Sequence, residues 1–151
     1  MDSAAPQRIH AWLMDLVRDA GLLQPDHMIP GQPVSMSQAF ALHELDVEPP
    51  LSQRDLAERL RLDKSSVSRL AAEMERKGLL TRERDPANRR LYRLRLTDEG
   101  CALHLRMAAT LQKQYERWVS AMTAAEREAL LTGLPALIRA IRRGPAPSDK
   151  R

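Results

Sequence analysis

The stretch that decides the fold runs from Leu51 to Gly100 and reads LSQRDLAERLRLDKSSVSRLAAEMERKGLLTRERDPANRRLYRLRLTDEG. It opens on Ser52-Gln53-Arg54-Asp55, a capping-box pattern with Asp in place of the usual Glu, which starts a short helix carrying Leu56, Ala57 and Leu60. After a turn at Arg61-Leu62, Asp63 supplies a side-chain oxygen for the first free amides of a second helix, which ends at Lys77 before Gly78. Two short helices across a tight turn make a helix-turn-helix candidate. From Leu79 to Arg84 and again from Leu91 to Leu96 the composition turns to short strands, joined by Asp85-Pro86-Ala87-Asn88-Arg89-Arg90. A helix-turn-helix followed directly by a hairpin with a basic tip is a winged helix.

At 100° per residue the second helix divides into two faces. Val67, Leu70, Ala71 and Met74 point to a core, while Ser65, Ser68, Arg69, Ala72 and Arg76 share an arc of about 100° on the other side. Small hydroxyl side chains let such a helix approach an anionic polymer closely, Ala72 leaves room for a groove wall, and Arg69 and Arg76 reach phosphates or guanine edges. The hairpin tip presents Arg89 and Arg90 in a shape suited to a narrow minor groove, whose negative potential attracts guanidinium groups. Its strands add Arg82, Arg84, Arg93 and Arg95, of which some must face solvent or phosphate.

The charge agrees with this placement. The chain of 151 residues carries a formal net charge of +4. Ser52 to Thr97 holds 13 Lys and Arg against 7 Asp and Glu, whereas the rest of the chain is slightly acidic. The basic surplus therefore belongs to the winged-helix stretch, where it serves an anionic partner. A composition of 43% hydrophobic and 29% charged residues is that of a globular domain, with a core built from Leu, Ala, Ile, Val and Met because only 3% is aromatic. The single cysteine, Cys101, excludes an intrachain disulfide and points to a cytoplasmic protein. The first apolar stretch, Ile9 to Val17, is too short and too interrupted for a signal peptide or a membrane span.

Flanking elements are also helical. Pro6 to Ala20 forms a first helix with a stripe of Ile9, Trp12, Leu13, Leu16 and Val17. Gly21 to Val34, with Pro25, Pro30 and Pro33, is a loop, and Met1 to Ala5 and Gly144 to Arg151 are frayed ends. Ser35 and Gln38 make a capping box for a helix through Leu45 that buries Met36, Ala39, Phe40 and Leu42, until Pro49 and Pro50 stop any continuation. Thr97 caps a long helix from Asp98 to about Met122. Thr123 and Glu126 cap the last helix, with Leu130, Leu131, Leu134, Leu137, Ile138 and Ile141 and a bend at Pro135. A helix from Asp98 to Met122 is about 37 Å long, more than a winged helix covers by itself. Its apolar side, Leu103, Met107, Leu111, Tyr115, Trp118 and Met122, calls for a second chain.

The Leu51–Gly100 stretch resembles the winged-helix core of MarR-family bacterial transcription regulators. Helix, turn, recognition helix, Lys77-Gly78-Leu79, wing and Leu96-Thr97-Asp98-Glu99-Gly100 come in family order and spacing, and the flanking helices agree in number and order. The resemblance implies a mainly α fold: one domain over 1–151, with a winged-helix lobe at 35–97, a two-stranded wing, and dimerisation helices at 6–20 and 98–143. It implies a homodimer that binds double-stranded DNA at a palindromic operator, as a repressor responsive to a small-molecule effector. Lys64, Ser65, Ser66, Ser68 and Arg69 would be its recognition residues, with Ser52, Gln53 and Arg54 near phosphate. Arg76, Arg82, Arg84, Asn88, Arg89 and Arg90 complete the expected DNA-binding set. Arg90 takes the family's wing-arginine place, and Asn88 stands where the family usually has Asp. The expected dimer interface is Ile9, Leu13, Tyr115, Trp118, Leu134, Leu137, Ile138 and Ile141, and an effector pocket falls at Trp12, Phe40, His43 and Met107.

Other functions find less in the sequence. There is no glycine-rich phosphate loop, no G-x-S-x-G, no H-E-x-x-H and no CxxC pair, so neither catalysis nor a cofactor is expected. His10, His27, His43 and His104 are scattered without metal-ligand spacing. Two alternatives remain open: a winged-helix module that meets an acidic protein, and a regulator responsive to metal or to oxidation of Cys101, which sits in the first turn of the long helix.

Overall fold

A computed structural model of the chain describes residues 4–23 and 34–144. His27, Pro25, Pro30 and Pro33, most of the expected loop and the outermost ends lie outside the described residues. In order, the elements are α1 (Ala5–Asp19), α2 (Met36–Leu45), β1 (Leu51–Ser52), α3 (Gln53–Leu60), α4 (Lys64–Arg76), β2 (Leu80–Arg84), β3 (Tyr92–Leu96), α5 (Asp98–Ser120) and α6 (Ala124–Arg143). The chain divides into two compact units, 1–110 and 111–151.

Helix starts are fixed by side chains, as the sequence predicts. Ser35 with Gln38, Ser52 with Asp55, and Thr123 with Glu126 each form a reciprocal capping box. At α4, the Asp63 carboxylate accepts from the Ser66 amide at 2.8 Å. The turn between α3 and α4 is made by Arg61 in the left-handed region, φ 53°, and α4 stops where Gly78 takes φ 73°.

These helices enclose one core in the first unit. Leu42 of α2, Leu56 of α3, Val67, Ala71 and Met74 of α4, and Leu80 and Leu94 of the strands are fully buried together. Leu103 and Met107 of α5 are buried as well. Phe40 is not part of this core. The expectation that α2 buries it is corrected by a ring 49% exposed, with Gln38, Ala41 and Leu45 facing inward instead.

The sheet has three strands in the order β1-β3-β2, all antiparallel. Leu80 faces Leu96 and Arg84 faces Tyr92 along the wing, while Leu51 pairs with Leu94. The sequence predicts only the hairpin. β1 has two residues, too few to show a period of two, and it is recognisable only through its pairing.

The wing is joined to α5 through a close approach. Thr97 donates its hydroxyl to the Gly78 carbonyl at 2.6 Å and its amide to the Leu79 carbonyl at 3.1 Å, and its oxygen accepts from the Gly100 amide at 3.1 Å. A side chain at Gly100 would stand 2.0 Å from the Leu79 carbonyl oxygen. Only glycine lets the start of α5 lie this near the link between α4 and β2.

In the second unit α6 runs unbroken through Pro135, although that residue has no amide to give to the preceding turn. Tyr115 and Trp118 of α5 meet edge to face at 5.4 Å between ring centres. The Arg127 guanidinium donates to the Val119 and Met122 carbonyls at 3.2 and 2.7 Å, closing the turn between α5 and α6. Glu126 accepts both the backbone and the hydroxyl donor of Thr123, which hold its carboxyl below the usual range.

Candidate nucleic-acid interface

The reading face of α4 is exposed as its periodicity requires. Lys64, Ser65, Arg69, Ala72 and Arg76 face solvent, and Ser68 is half-buried beside them. Ser66 has another task. Its hydroxyl donates to Asp63 at 2.7 Å while its amide donates to the other carboxylate oxygen, so this side chain closes the helix cap. The Ser66 hydroxyl, followed by the Ser66 amide, lowers the Asp63 carboxyl below its ordinary range. Ser52 is occupied in the same way, its oxygen accepting the Asp55 amide at 2.9 Å.

Across from the start of α4, a cleft of about 270 Å³ is lined by Gln53, Arg54 and Ala57 of α3, by Lys64, and by Arg90, Leu91 and Tyr92 at the base of the wing. The fold thus brings the expected phosphate contacts at 53 and 54 beside the first recognition residue and the wing arginine. The side-chain oxygen of Gln53 is buried without a hydrogen-bond partner. Arg54 lies 3.4 Å from Glu58 on its own helix, an exposed pair of little energetic weight.

The wing is organised by a residue that the sequence reading passed over. Asp85 is buried, and its carboxylate accepts the Ala87 and Asn88 amides at 2.8 and 3.3 Å and the Arg93 guanidinium at 2.8 Å. Arg93 first, then the Ala87 amide, holds its carboxyl below the usual range. An aspartate two residues before a turn amide is the recognisable signal of such an Asx turn. Asn88 carries the turn on, its side-chain oxygen accepting the Arg90 amide at 3.2 Å. The residue in the family's Asp place therefore holds wing backbone.

The arginines of this region fall into two groups. Arg82 donates to Glu75 of α4 at 2.9 Å, Arg93 to Asp85, and Arg95 to Glu48 at 2.6 Å. Arg84 donates to the Arg89 carbonyl at 2.9 Å and lies 4.2 Å above the Tyr92 ring. These side chains tie the wing together, to α4 and to the segment between α2 and β1. Among the described residues, Lys64, Arg69 and Arg76 on α4, Arg89 and Arg90 on the wing, and Arg61 in the turn have no ion pair. Within the winged-helix stretch, the cations with neither an ion pair nor a carbonyl or ring contact are thus those on α4, the wing tip and the turn before α4.

The residues expected to line an effector pocket are placed differently from one another. Met107 is 3% exposed in the core, and Phe40 lines a groove of about 320 Å³ with Met36, Leu60 and Leu62. His43 meets His104, 5.7 Å between ring centres, and His104 Nδ1 is 2.9 Å from Asp46. Trp12 is 58% exposed on α1, with the Arg8 guanidinium 5.0 Å from its ring centre. Cys101 is half-buried in the first turn of α5.

Of the expected interface residues, Ile9 and Leu13 on α1, Tyr115 and Trp118 on α5, and Leu134, Ile138 and Ile141 on α6 are exposed, with Leu137 half-buried. Neither α1 nor α6 has a single buried residue. Among the described residues no helix is long and apolar enough to cross a membrane.

Two helices across a tight turn, a basic exposed face on the second, and a hairpin whose tip carries free guanidinium groups define a winged helix-turn-helix protein. The MarR family profile matches residues 32–91. The transcriptional regulatory protein proposed for the hcr operon of Thauera aromatica is 33% identical over 98 residues, which cover 65% of this chain and 59% of that protein. The chain thus spans less than two thirds of that relative's length. The structure of the PcaV transcriptional regulator of Streptomyces coelicolor in complex with its natural ligand is 26% identical, with a TM-score of 0.64 over 95% of this chain and 94% of that one. FabT of Streptococcus pneumoniae, solved in complex with DNA, shares the fold at 19% identity, with a TM-score of 0.79 over 91% and 97% of the two chains. Over residues 32–91 the chain is thus similar to the MarR family.

Proposed function

We propose that this protein is a cytoplasmic regulator of transcription that binds double-stranded DNA in a sequence-specific manner, without catalysis. The observation that carries this reading is the gathering of unpaired cations on α4 and the wing tip, while the other arginines of the same stretch, Arg61 apart, are engaged within the fold by ion pairs or, for Arg84, by a carbonyl and a ring. Lys64, Ser65, Ser68 and Arg69 enter a major groove, where Arg69 addresses a guanine edge. Arg89 and Arg90 follow the adjacent minor groove. Gln53 and Arg54 approach the backbone, and Arg76 meets phosphate from the far end of α4. Ser52, Ser66, Arg82, Arg84 and Asn88 contribute indirectly, by holding the helices and the wing in shape.

The working unit is a homodimer in which the whole chain acts as one functional domain. Supporting this, α1 leaves Trp12 exposed and α6 leaves Leu134 and Ile141 exposed, large apolar side chains that a second chain would cover. A two-fold dimer places its recognition helices one DNA turn apart, so the operator is an inverted repeat. PcaV was solved with its natural ligand, which favours a small-molecule effector here too, acting to release a repressor. Such an effector shifts the equilibrium only by its differential affinity for the two states.

Titration of fluorescent duplexes at several salt concentrations tests the reading. Duplex binding is expected to weaken with salt, and Arg69→Ala is expected to lower operator affinity by about tenfold or more while scrambled duplex loses less. Equal losses on both duplexes would remove Arg69 from base readout. Binding insensitive to salt would favour a protein partner.

A further inference from the structure

We infer that Gln38 is a positioning residue for DNA reading: its buried amide oxygen, held by Lys77 at the end of α4, fixes the tilt of the recognition helix. The inference rests on α4 being the helix that reads DNA.

Gln38 is 2% exposed, one of two polar side chains buried in the described residues. Its Oε1 accepts the Ser35 amide at 3.3 Å, as the third residue of the α2 capping box, and also the Lys77 ammonium at 3.0 Å. Lys77 is the C-cap of α4 and keeps Glu73 within 3.4 Å. One amide oxygen thus joins the first turn of α2 to the last turn of α4. A bond between an ammonium and a buried oxygen is stronger than one between neutral groups, and its loss leaves a buried acceptor short of a donor.

The other polar ties on α4 gather at the same end. Glu75 accepts the Arg82 guanidinium and backbone amide from β2, and the Leu79 amide donates to Met74. At the opposite end the described polar contacts are those of Asp63 within its own turn. The polar ties of the helix to other elements are therefore at its C-terminal end, and its reading residues, Lys64 to Arg69, lie at the other, held there by the burial of Val67. Thirteen residues rise about 19 Å, so a tilt of about 5° at the anchor moves the reading end by roughly 1.7 Å. A bidentate contact to a base tolerates only about 0.5 Å. Small losses of anchoring at Gln38 are thus amplified where bases are read, whereas phosphate contacts by flexible arginines adapt.

The test measures the preference for the operator over scrambled duplex, using a duplex selected from a random pool, together with stability in urea. Gln38→Leu is expected to lower the preference about tenfold while affinity for scrambled duplex and its salt slope stay within about twofold. Gln38→Glu, which keeps the acceptor, is expected to restore the preference. Lys77→Met removes the donor and leaves the capping box whole, so it carries the test where Gln38→Leu does not fold. An unchanged preference in a folded variant overturns the inference. So does a parallel fall on both duplexes that follows lost stability, since that is a merely structural role. A wild-type protein that prefers no sequence defeats the underlying reading of α4, and that outcome is distinct from failure at Gln38 alone.

Discussion

The approach of α5 to the link between α4 and β2 gives the sharpest test of the packing, through Gly100→Ala. The added methyl would meet the Leu79 carbonyl oxygen at 2.0 Å and its carbon at 3.0 Å, both backbone atoms that no rotamer change can move. A carbon and a carbonyl oxygen rest at about 3.3 Å, so the start of α5 must retreat by roughly 1.3 Å. That retreat stretches the Thr97 amide bond to Leu79, now 3.1 Å, beyond hydrogen-bond range, at a loss of about 1 kcal/mol. Overpacking of a site with no give costs about 3 kcal/mol, the upper part of its ordinary range. Alanine's better helix propensity returns about 1 kcal/mol. The net expectation is about 3 kcal/mol of destabilisation. In urea unfolding, at one protein concentration because a dimer's stability depends on it, the midpoint should fall by about 1 to 2 M. A loss below about 1 kcal/mol would refute the close approach.

Further outcomes can be checked with the same protein. Arg61→Gly relieves a left-handed residue and should raise stability by about 0.5 to 1 kcal/mol, after the greater chain entropy of glycine is subtracted; a loss would mean that the Arg61 side chain is needed. The lowered Asp85 carboxyl contributes stability that is present at neutral pH and above the ordinary carboxylate value near 4. That contribution is lost as pH falls from about 4 through the depressed folded value, and Asp85→Asn should flatten this part of a stability-against-pH curve. Leu134→Glu, placing a charge on the exposed apolar face of α6, should shift the proposed dimer to monomer in light scattering while circular dichroism keeps its helical signal.

Local chemistry made much of this legible in advance. Ser35, Ser52, Asp63 and Thr123 announce helix starts because a cap is a bond within four residues, and all four are found capping. The inward face of α4 follows from the 3.6-residue period alone, and Val67, Leu70, Ala71 and Met74 are buried. Tertiary choices were harder to see. β1 exists only because β3 lies beside it, and Phe40 is exposed although it fits an apolar pattern, since α2 turns Gln38 and Ala41 inward. Within the candidate site, Arg82 and Arg90 look alike in the sequence. Glu75 neutralises the first, and that pairing across seven residues depends on how β2 leaves α4. Likewise Ser66, a recognition residue by the resemblance, has its hydroxyl spent on Asp63 by geometry.

The most direct test of the central claim is selection of bound duplexes from a random DNA pool at about physiological salt, with the protein first verified as folded and dimeric. The account predicts an enriched inverted repeat with half-sites about 10 base pairs apart, centre to centre, matching two recognition helices on one face of DNA. Recovery of no motif from folded dimer would contradict it and would direct the basic face to an acidic protein instead.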